Sequence, residues 1–358
     1  MGEKVIVLTG GGSAGHVTPN LAILERLLEK GWKVHYIGTE KGIESSIVPK
    51  DKVLFHTIKA GKLRRYFDIK NFTDPFNVLA GAAKSFFILR KIKPSVVFAK
   101  GGFVSLPVIF SAWLLGIPAI THEGDVSLGL ANKLSLFFVK KVCVSFKETL
   151  ESVGGKCVYT GLPVRKEILH GNAEQGYEFC NLKDDKPVIL IMGGSQGSRR
   201  INDLIVKSLP QILSKFNVVH ICGKGNMNHS VKYDGYRQFE YIGEELPHIF
   251  AISSVVVSRS GTSAIFEILS LKKPSVLIPL MVGSRGEQVL NARNFEKSNF
   301  ARMISENNIT TEEFCSTLHE VYENRQFFID NMMHADVPDS IEVILDVIEG
   351  CSKQRKRV

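Results

Sequence analysis

Val5-Ile-Val-Leu-Thr-Gly-Gly-Gly-Ser-Ala-Gly-His16 decides the fold. An uncharged, β-branched run that empties into three glycines and a small-residue turn reads as a buried strand followed by a loop and a helix. The same grammar returns in the second half as Val188-Ile-Leu-Ile-Met-Gly-Gly-Ser-Gln-Gly-Ser198. A strand that ends in glycines before a helix directs backbone N–H groups at an anion. One such unit per half predicts two similar α/β domains facing each other across a cleft that handles phosphorylated ligands.

Working outward, apolar runs and helical patterns alternate along both halves. Strands are expected at 5–9, 33–37, 53–58, 96–100, 119–122, 141–145 and 156–159, then at 188–192, 218–222, 239–242, 255–258, 275–278 and 301–304. Helices are expected at Pro19–Lys30, with Thr18 as N-cap and Pro19 at the first helical position, and at Asn77–Ile92. Such βαβα order with near-continuous apolar strands implies doubly wound parallel sheets covered on both faces. Gly161-Leu-Pro-Val164 closes the first unit, and the polar 170s follow it. The expected domains are therefore 1–162 and 163–338, with 339–358 as a C-terminal helix and basic tail that packs on either domain.

Composition narrows the class. The chain has 358 residues, 44% of them hydrophobic and 23% charged, an ordinary globular balance with room for two cores. Its six cysteines form no CxxC pair, which suits reduced thiols in a cytosolic chain. The N-terminus lacks a signal-peptide pattern, and the longest charge-free run, Val104–Ile120, is broken by Pro107, Gly116 and Pro118. A buried helix and strand are expected there rather than a membrane span. The net charge of +9 is concentrated between Lys59 and Lys93, where nine basic residues oppose Asp68 and Asp74 and alternate with Leu63, Tyr66, Phe67, Phe72, Phe76, Leu79, Phe86, Phe87 and Leu89. That mixture favours an anionic membrane surface. A solvated face over core aromatics is the plainer explanation, and no nucleic-acid motif accompanies the patch.

The motifs carry the chemistry. Gly10-x-Gly12-x-x-Gly15 satisfies the dinucleotide fingerprint, with Glu40 as a ribose ligand, and taken alone suggests a nicotinamide oxidoreductase. His16 then places an imidazole at the helix start, where it donates to a phosphate or accepts a proton, or else merely caps. Gly193-Gly-Ser195-Gln-Gly197 matches a nucleophile elbow, yet no downstream histidine sits in a post-strand loop with an acidic partner, so Ser195 is better read as a hydroxyl donor to a phosphate. Lys100-Gly101-Gly102-Phe103-Val104-Ser105 is a third glycine turn, and His122-Glu123-Gly124-Asp125 ends a strand at the ligand side of the sheet; Glu123 and Asp125 either reach the cleft or cap the next helix. Ser258-Arg-Ser-Gly-Thr-Ser-Ala-Ile-Phe-Glu267 is the most specific stretch, a strand end and a helix N-terminus with a carboxylate placed for vicinal ribose hydroxyls. Gln288 and Asn291 share one helix face and suit sugar hydroxyls.

With these motifs in this order, the chain resembles the peptidoglycan N-acetylglucosaminyltransferases that form lipid II, family 28 of the GT-B glycosyltransferases. The resemblance rests on 11–19, 100–105, 122–123, 161–165, 193–198, 258–261 and 287–292 and covers nearly the whole chain. It implies inverting transfer from UDP-GlcNAc to the 4-hydroxyl of undecaprenyl-diphosphate-MurNAc-pentapeptide, with no metal or other cofactor. Ser13, Ala14 and Gly15 would lie beside the donor, which Arg165, Ser195, Ile242, Thr262, Ser263, Ala264, Ile265, Phe266, Glu267, Gln288 and Asn291 would hold. Gly12, Gly101, Gly102, Phe103, His122, Asp125, Asn132 and Asn202 would meet the acceptor and its diphosphate, with His16 or Glu123 as base.

The implied partners are UDP-GlcNAc, lipid I, the anionic cytoplasmic face of the cell membrane, and cell-wall or division proteins, without nucleic acid. Two departures from the family pattern stand out. Phe103 replaces a common tyrosine, and Gly124-Asp125 replaces Gln-Asn. A GT-B UDP-GlcNAc 2-epimerase, a transferase with another lipid acceptor, and a non-catalytic lipid-bound scaffold are the rival readings.

Overall fold

A computed structural model describes residues 4–61, 70–183, 185–194, 197–281 and 286–354. The chain divides into two compact units, Met1–Arg165 with Val337–Val358, and Lys166–Asp336. In the first unit β1 (Lys4–Thr9), α1 (Thr18–Glu29), β2 (Trp32–Thr39), α2 (Glu44–Ile47), β3 (Leu54–Ile58), α3 (Lys70–Ile92) and β4 (Val96–Ala99) are followed by α4 (Ser105–Leu114), β5 (Ala119–Glu123), α5 (Leu130–Ser135), β6 (Lys141–Val144), α6 (Thr149–Val153) and β7 (Cys157–Tyr159). The second unit contains α7 (Ala173–Cys180), β8 (Val188–Met192), α8 (Arg199–Ile212), β9 (Asn217–Ile221), β10 (Tyr236–Phe239), α9 (Leu246–Ile252) and β11 (Ser253–Ser258), then α10 (Thr262–Ser270), β12 (Ser275–Leu277), α11 (Glu287–Lys297), β13 (Ala301–Met303), α12 (Thr311–Glu323) and α13 (Arg325–Met333). The final helix, α14 (Ser340–Gln354), belongs to the first unit.

Both sheets are parallel. Their strand orders are β3-β2-β1-β4-β5-β6-β7 and β10-β9-β8-β11-β12-β13. This is the α/β, doubly wound architecture expected from the alternation. Apolar residues pack on both faces of the first sheet. Ile6, Leu8, Phe98 and Ile120 share one core with α1 and α14, while Val7, Val97, Ala99 and Ala119 share the other with α4. Ile341, Ile344, Leu345 and Ile348 recur at helical spacing and bury the inner stripe of α14, each side chain worth roughly 1.5–3 kcal/mol on burial. Arg26 and Lys30 on α1 meet Glu342 of α14 at the rim of that contact.

Two local expectations shift. Thr18 lies inside α1 rather than capping it, because a single 3-10 turn at Ala14–His16 leads into the helix and the Thr18 hydroxyl donates back to Ala14 O at 2.7 Å. β10 ends at Phe239, three residues before the expected end, because Tyr236 pairs with Val218 directly after the left-handed Gly235. No described helix is long and apolar enough to cross a membrane.

Candidate active site

Strand order reverses beside β1 in the first sheet and beside β8 in the second, and open α/β sheets bind ligands at that switch, beyond the strand C-termini. In the first unit Thr9 pairs with Ala99, so Gly10 and Lys100 leave the sheet side by side. In the second, Met192 pairs with Ser258, bringing Gly193 beside Arg259. The topology thus brings together the motifs that were far apart in sequence.

In the first unit the two turns pack on each other. A Cβ on Gly12 would lie 2.4 Å from the Phe103 ring, and one on Gly102 would lie 2.5 Å from Gly11 O. Gly12, Gly101 and Gly102 all have positive φ. These glycines therefore serve close backbone approach, and the open phosphate cradle expected of Gly12 is corrected. Its N–H donates to Glu44 Oε2 at 3.1 Å, while Glu44 Oε1 accepts from Thr39 N at 2.9 Å and Thr39 Oγ1 at 2.5 Å. A fully buried carboxylate at that N–H repels a dinucleotide pyrophosphate, which removes the nicotinamide reading. Sequence reasoning missed Glu44 and singled out Glu40. The available signal was Gly38 and Gly42, which together with Gly11 leave room for a carboxylate.

His16 is half-buried beside this pair of turns, with Nδ1 2.9 Å from Ser13 Oγ. Ser13 and Gly15 are exposed and Ala14 is half-buried. Lys100 is buried; burial lowers its pKa, and the nearby charges of Glu123 and Asp125 raise it.

The strand-end cluster is more internal than expected. Glu123 is buried and accepts from Asp125 N at 3.1 Å, Gly129 N at 2.7 Å and Asn132 Nδ2 at 2.8 Å. Burial raises its pKa, as does Asp125, against the hydrogen bonds from Gly129 and Asn132. The carboxylate holds the loop into α5 without capping that helix. His122 is corrected as an acceptor contact: its ring is fully buried, with Nε2 3.0 Å from Gly161 O and the Phe98 ring packed nearby. Burial, then Lys100, holds its pKa well below the usual imidazole range. Asn132 is likewise buried, accepting from Thr121 Oγ1 and donating to Glu123. Asp125 remains half-buried at the surface of the cluster.

In the second unit α10 begins after Gly261 with no side-chain cap among the described residues, and the N–H groups of its first turn, including Ser263 and Ala264, lie at the positive end of the helix. Thr262, Ser263, Ala264 and Glu267 are half-buried, whereas the Ile265 and Phe266 side chains are core. Those two residues, like buried Ile242, can meet a ligand only through their backbone. Gln288 is half-buried, its Oε1 accepting from Leu280 N at 3.0 Å. Asn291 is corrected as a sugar reader. It is fully buried, and Nδ2 donates to Ser260 O at 3.2 Å. Asn202 is corrected too. It sits on α8 in the second unit, with Oδ1 3.1 Å from His220 Nε2 and Nδ2 donating to Cys222 O. Arg165 is half-buried at the end of the first unit's main segment, and Ser195 lies outside the described residues. Among the described residues, no group of three or more His, Cys, Asp or Glu could hold a metal ion.

The basic and aromatic segment is partly visible. Residues 62–69 lie outside the described residues, as do the side chains of 70–75. On α3, Phe76, Leu79 and Phe87 are exposed while Leu89 is core. α3 packs on α4 and α4 on α5, where Phe110, Trp113, Phe137 and Phe138 form a ring cluster with Phe137 75% exposed.

The model of the glycosyltransferase family 28 N-terminal domain matches residues 6–144, and that of the glycosyltransferase family 28 C-terminal domain matches 188–344. A protein of Geobacillus thermodenitrificans (strain NG80-2), named UDP-N-acetylglucosamine--N-acetylmuramyl-(pentapeptide) pyrophosphoryl-undecaprenol N-acetylglucosamine transferase, is 49% identical over 355 residues, covering 98% of this chain and 100% of its own. The protein of the same name from Clostridium tetani (strain Massachusetts / E88) is 48% identical over 350 residues, covering 97% and 98%. The crystal structure of Acinetobacter baumannii MurG superposes with a TM-score of 0.77 at 23% identity over 97% of this chain and 99% of that one, a likeness of fold.

Proposed function

The chain belongs to glycosyltransferase family 28, and from that premise we propose that it transfers N-acetylglucosamine from UDP-GlcNAc to the muramyl 4-hydroxyl of undecaprenyl-diphosphate-MurNAc-pentapeptide, forming lipid II. The observation that carries the donor half is the start of α10 beside the second glycine turn, at the switch point of the second sheet. About half a positive charge at a helix N-terminus meets the diphosphate and stabilises it further as UDP departs. Glu267 on the same helix accepts the ribose hydroxyls, and Gln288 reads the sugar.

Inversion requires a base on the acceptor side. His16 suits this role better than Glu123, whose oxygens already hold the loop into α5. Nδ1 lies 2.9 Å from Ser13 Oγ, and the tautomer with its proton on Nδ1 is the one whose Nε2 would take a proton from the sugar hydroxyl. The exposed rings of α3 and of the Trp113–Phe137 cluster, with exposed Lys84, Arg90 and Lys91, suit a peripheral position on the anionic cytoplasmic membrane face.

The test is transfer of radiolabel from UDP-GlcNAc to a lipid I analogue, run with and without EDTA. Labelled lipid is expected at the same rate in both. His16→Ala should lower turnover by roughly 10²–10⁴-fold with UDP binding retained, and Glu123→Gln should cost less turnover than His16→Ala. No labelled lipid under conditions where UDP binds would overturn the proposal, and full activity of His16→Ala would remove His16 as base.

A further inference from the structure

The Arg259 guanidinium sits between the turns that follow β8, β11 and β12. It is buried, and so is its counter-ion Glu306. Nη2 donates to Ser198 Oγ at 2.7 Å and to Glu306 Oε1 at 2.5 Å, while Nη1 donates to Ile278 O at 3.0 Å. Ser198 is the N-cap of α8, its Oγ accepting from Ile201 N. The residue after Arg259 is tied in as well, since Ser260 Oγ donates to Gln288 O at 2.7 Å and Ser260 O accepts from Asn291 Nδ2. One dipeptide therefore joins the starts of α8, α10 and α11.

We propose that Arg259 is a positioning residue for donor binding: held by Glu306, it fixes the start of α8 against the start of α10 so that both meet the nucleotide diphosphate in one preset geometry. This deepens the UDP-sugar reading and rests on it. A phosphate bound by two backbone turns gains from both only if their spacing is set before it arrives. The planar fork of arginine reaches three acceptors in fixed directions, which lysine cannot reproduce. The ion pair keeps the guanidinium turned toward Ser198 and Ile278, inside the protein, where it acts on the diphosphate through the turns and without touching it.

The experiment measures UDP binding by calorimetry, and donor KM and kcat, for the full chain and for Arg259→Lys, Ser198→Ala and the double variant, with circular dichroism as the folding check. Arg259→Lys is expected to weaken UDP binding and raise donor KM about tenfold, with kcat at saturating donor within about threefold. Ser198→Ala should weaken binding in the same sense, and the double variant should be no worse than Arg259→Lys, because both changes break one link. Glu306→Gln, which leaves Ser198 and Ile278 intact but frees the guanidinium to turn, should also raise donor KM. Additive effects of Arg259→Lys and Ser198→Ala, or a loss confined to kcat, would overturn the inference in favour of direct contact with the ligand. Folded variants that bind UDP like the wild type would overturn it also. If the wild type itself fails to bind UDP, the fault lies with the UDP-sugar reading instead.

Discussion

Replacing Glu44 by glutamine tests whether an internal carboxylate holds the turn that carries His16. The carboxylate is fully buried and accepts three hydrogen bonds, from Gly12 N, Thr39 N and Thr39 Oγ1. Glutamine keeps one acceptor oxygen. If that oxygen stays with Thr39, the new NH2 group faces the N–H of exposed Gly12, which loses its acceptor at a cost of about 1 kcal/mol. The two remaining bonds lose their charge assistance, about 1 kcal/mol each. The sum is about 3 kcal/mol, a large share of a domain's stability. Urea titration should show that loss, and hydrogen exchange should show faster exchange at 10–17 and 39–44 than elsewhere. Turnover should fall while UDP affinity is unchanged, because the second unit folds around its own core. A variant within about 0.5 kcal/mol of wild type that retains full turnover would refute the reasoning, since surface-like changes have that size.

Two other outcomes are expected. Burial pushes the His220 pKa down to about 4 from 6.5, so the unfolded chain binds a proton that the folded chain does not between those values. Its contribution to stability is complete above pH 6.5 and falls as pH drops toward 4, by about 3 kcal/mol in all. Stabilities of wild type and His220→Gln from urea titrations should diverge by that amount between pH 7 and pH 4, and parallel curves would contradict it. At the membrane, Trp113→Ser with Phe137→Ser should weaken sedimentation with vesicles containing anionic lipid by more than tenfold while leaving UDP binding intact; unchanged sedimentation would remove this patch as the contact.

Local pattern carried far in this chain because the central parallel strands are buried on both faces and so are written as short, largely apolar runs. Twelve of the thirteen described strands lie on the expected runs, and β8 agrees at both ends with its run, whereas β10, which carries Arg237, overlaps its run only at Phe239. The glycine turns and the start of α10 were legible for the same reason, since each needs particular residues next to one another. His122, Asn132, Asn202 and Asn291 were misjudged because polarity in sequence does not reveal whether a side chain's partner is a ligand or the protein's own backbone. The Thr18 cap was misjudged because a 3-10 turn can feed a helix without a break.

By itself the amino-acid sequence determined two doubly wound α/β units, the positions of their glycine turns and, through the order of the motifs, the glycosyltransferase family. Tertiary structure alone decided which polar groups face outward. Glu44 reaches Gly12 across 32 residues, and Arg259 reaches Ser198 across 61 and Glu306 across 47. Such pairings depend on the order of strands in the sheet, which brings Gly193 beside Arg259, and no local periodicity encodes that order.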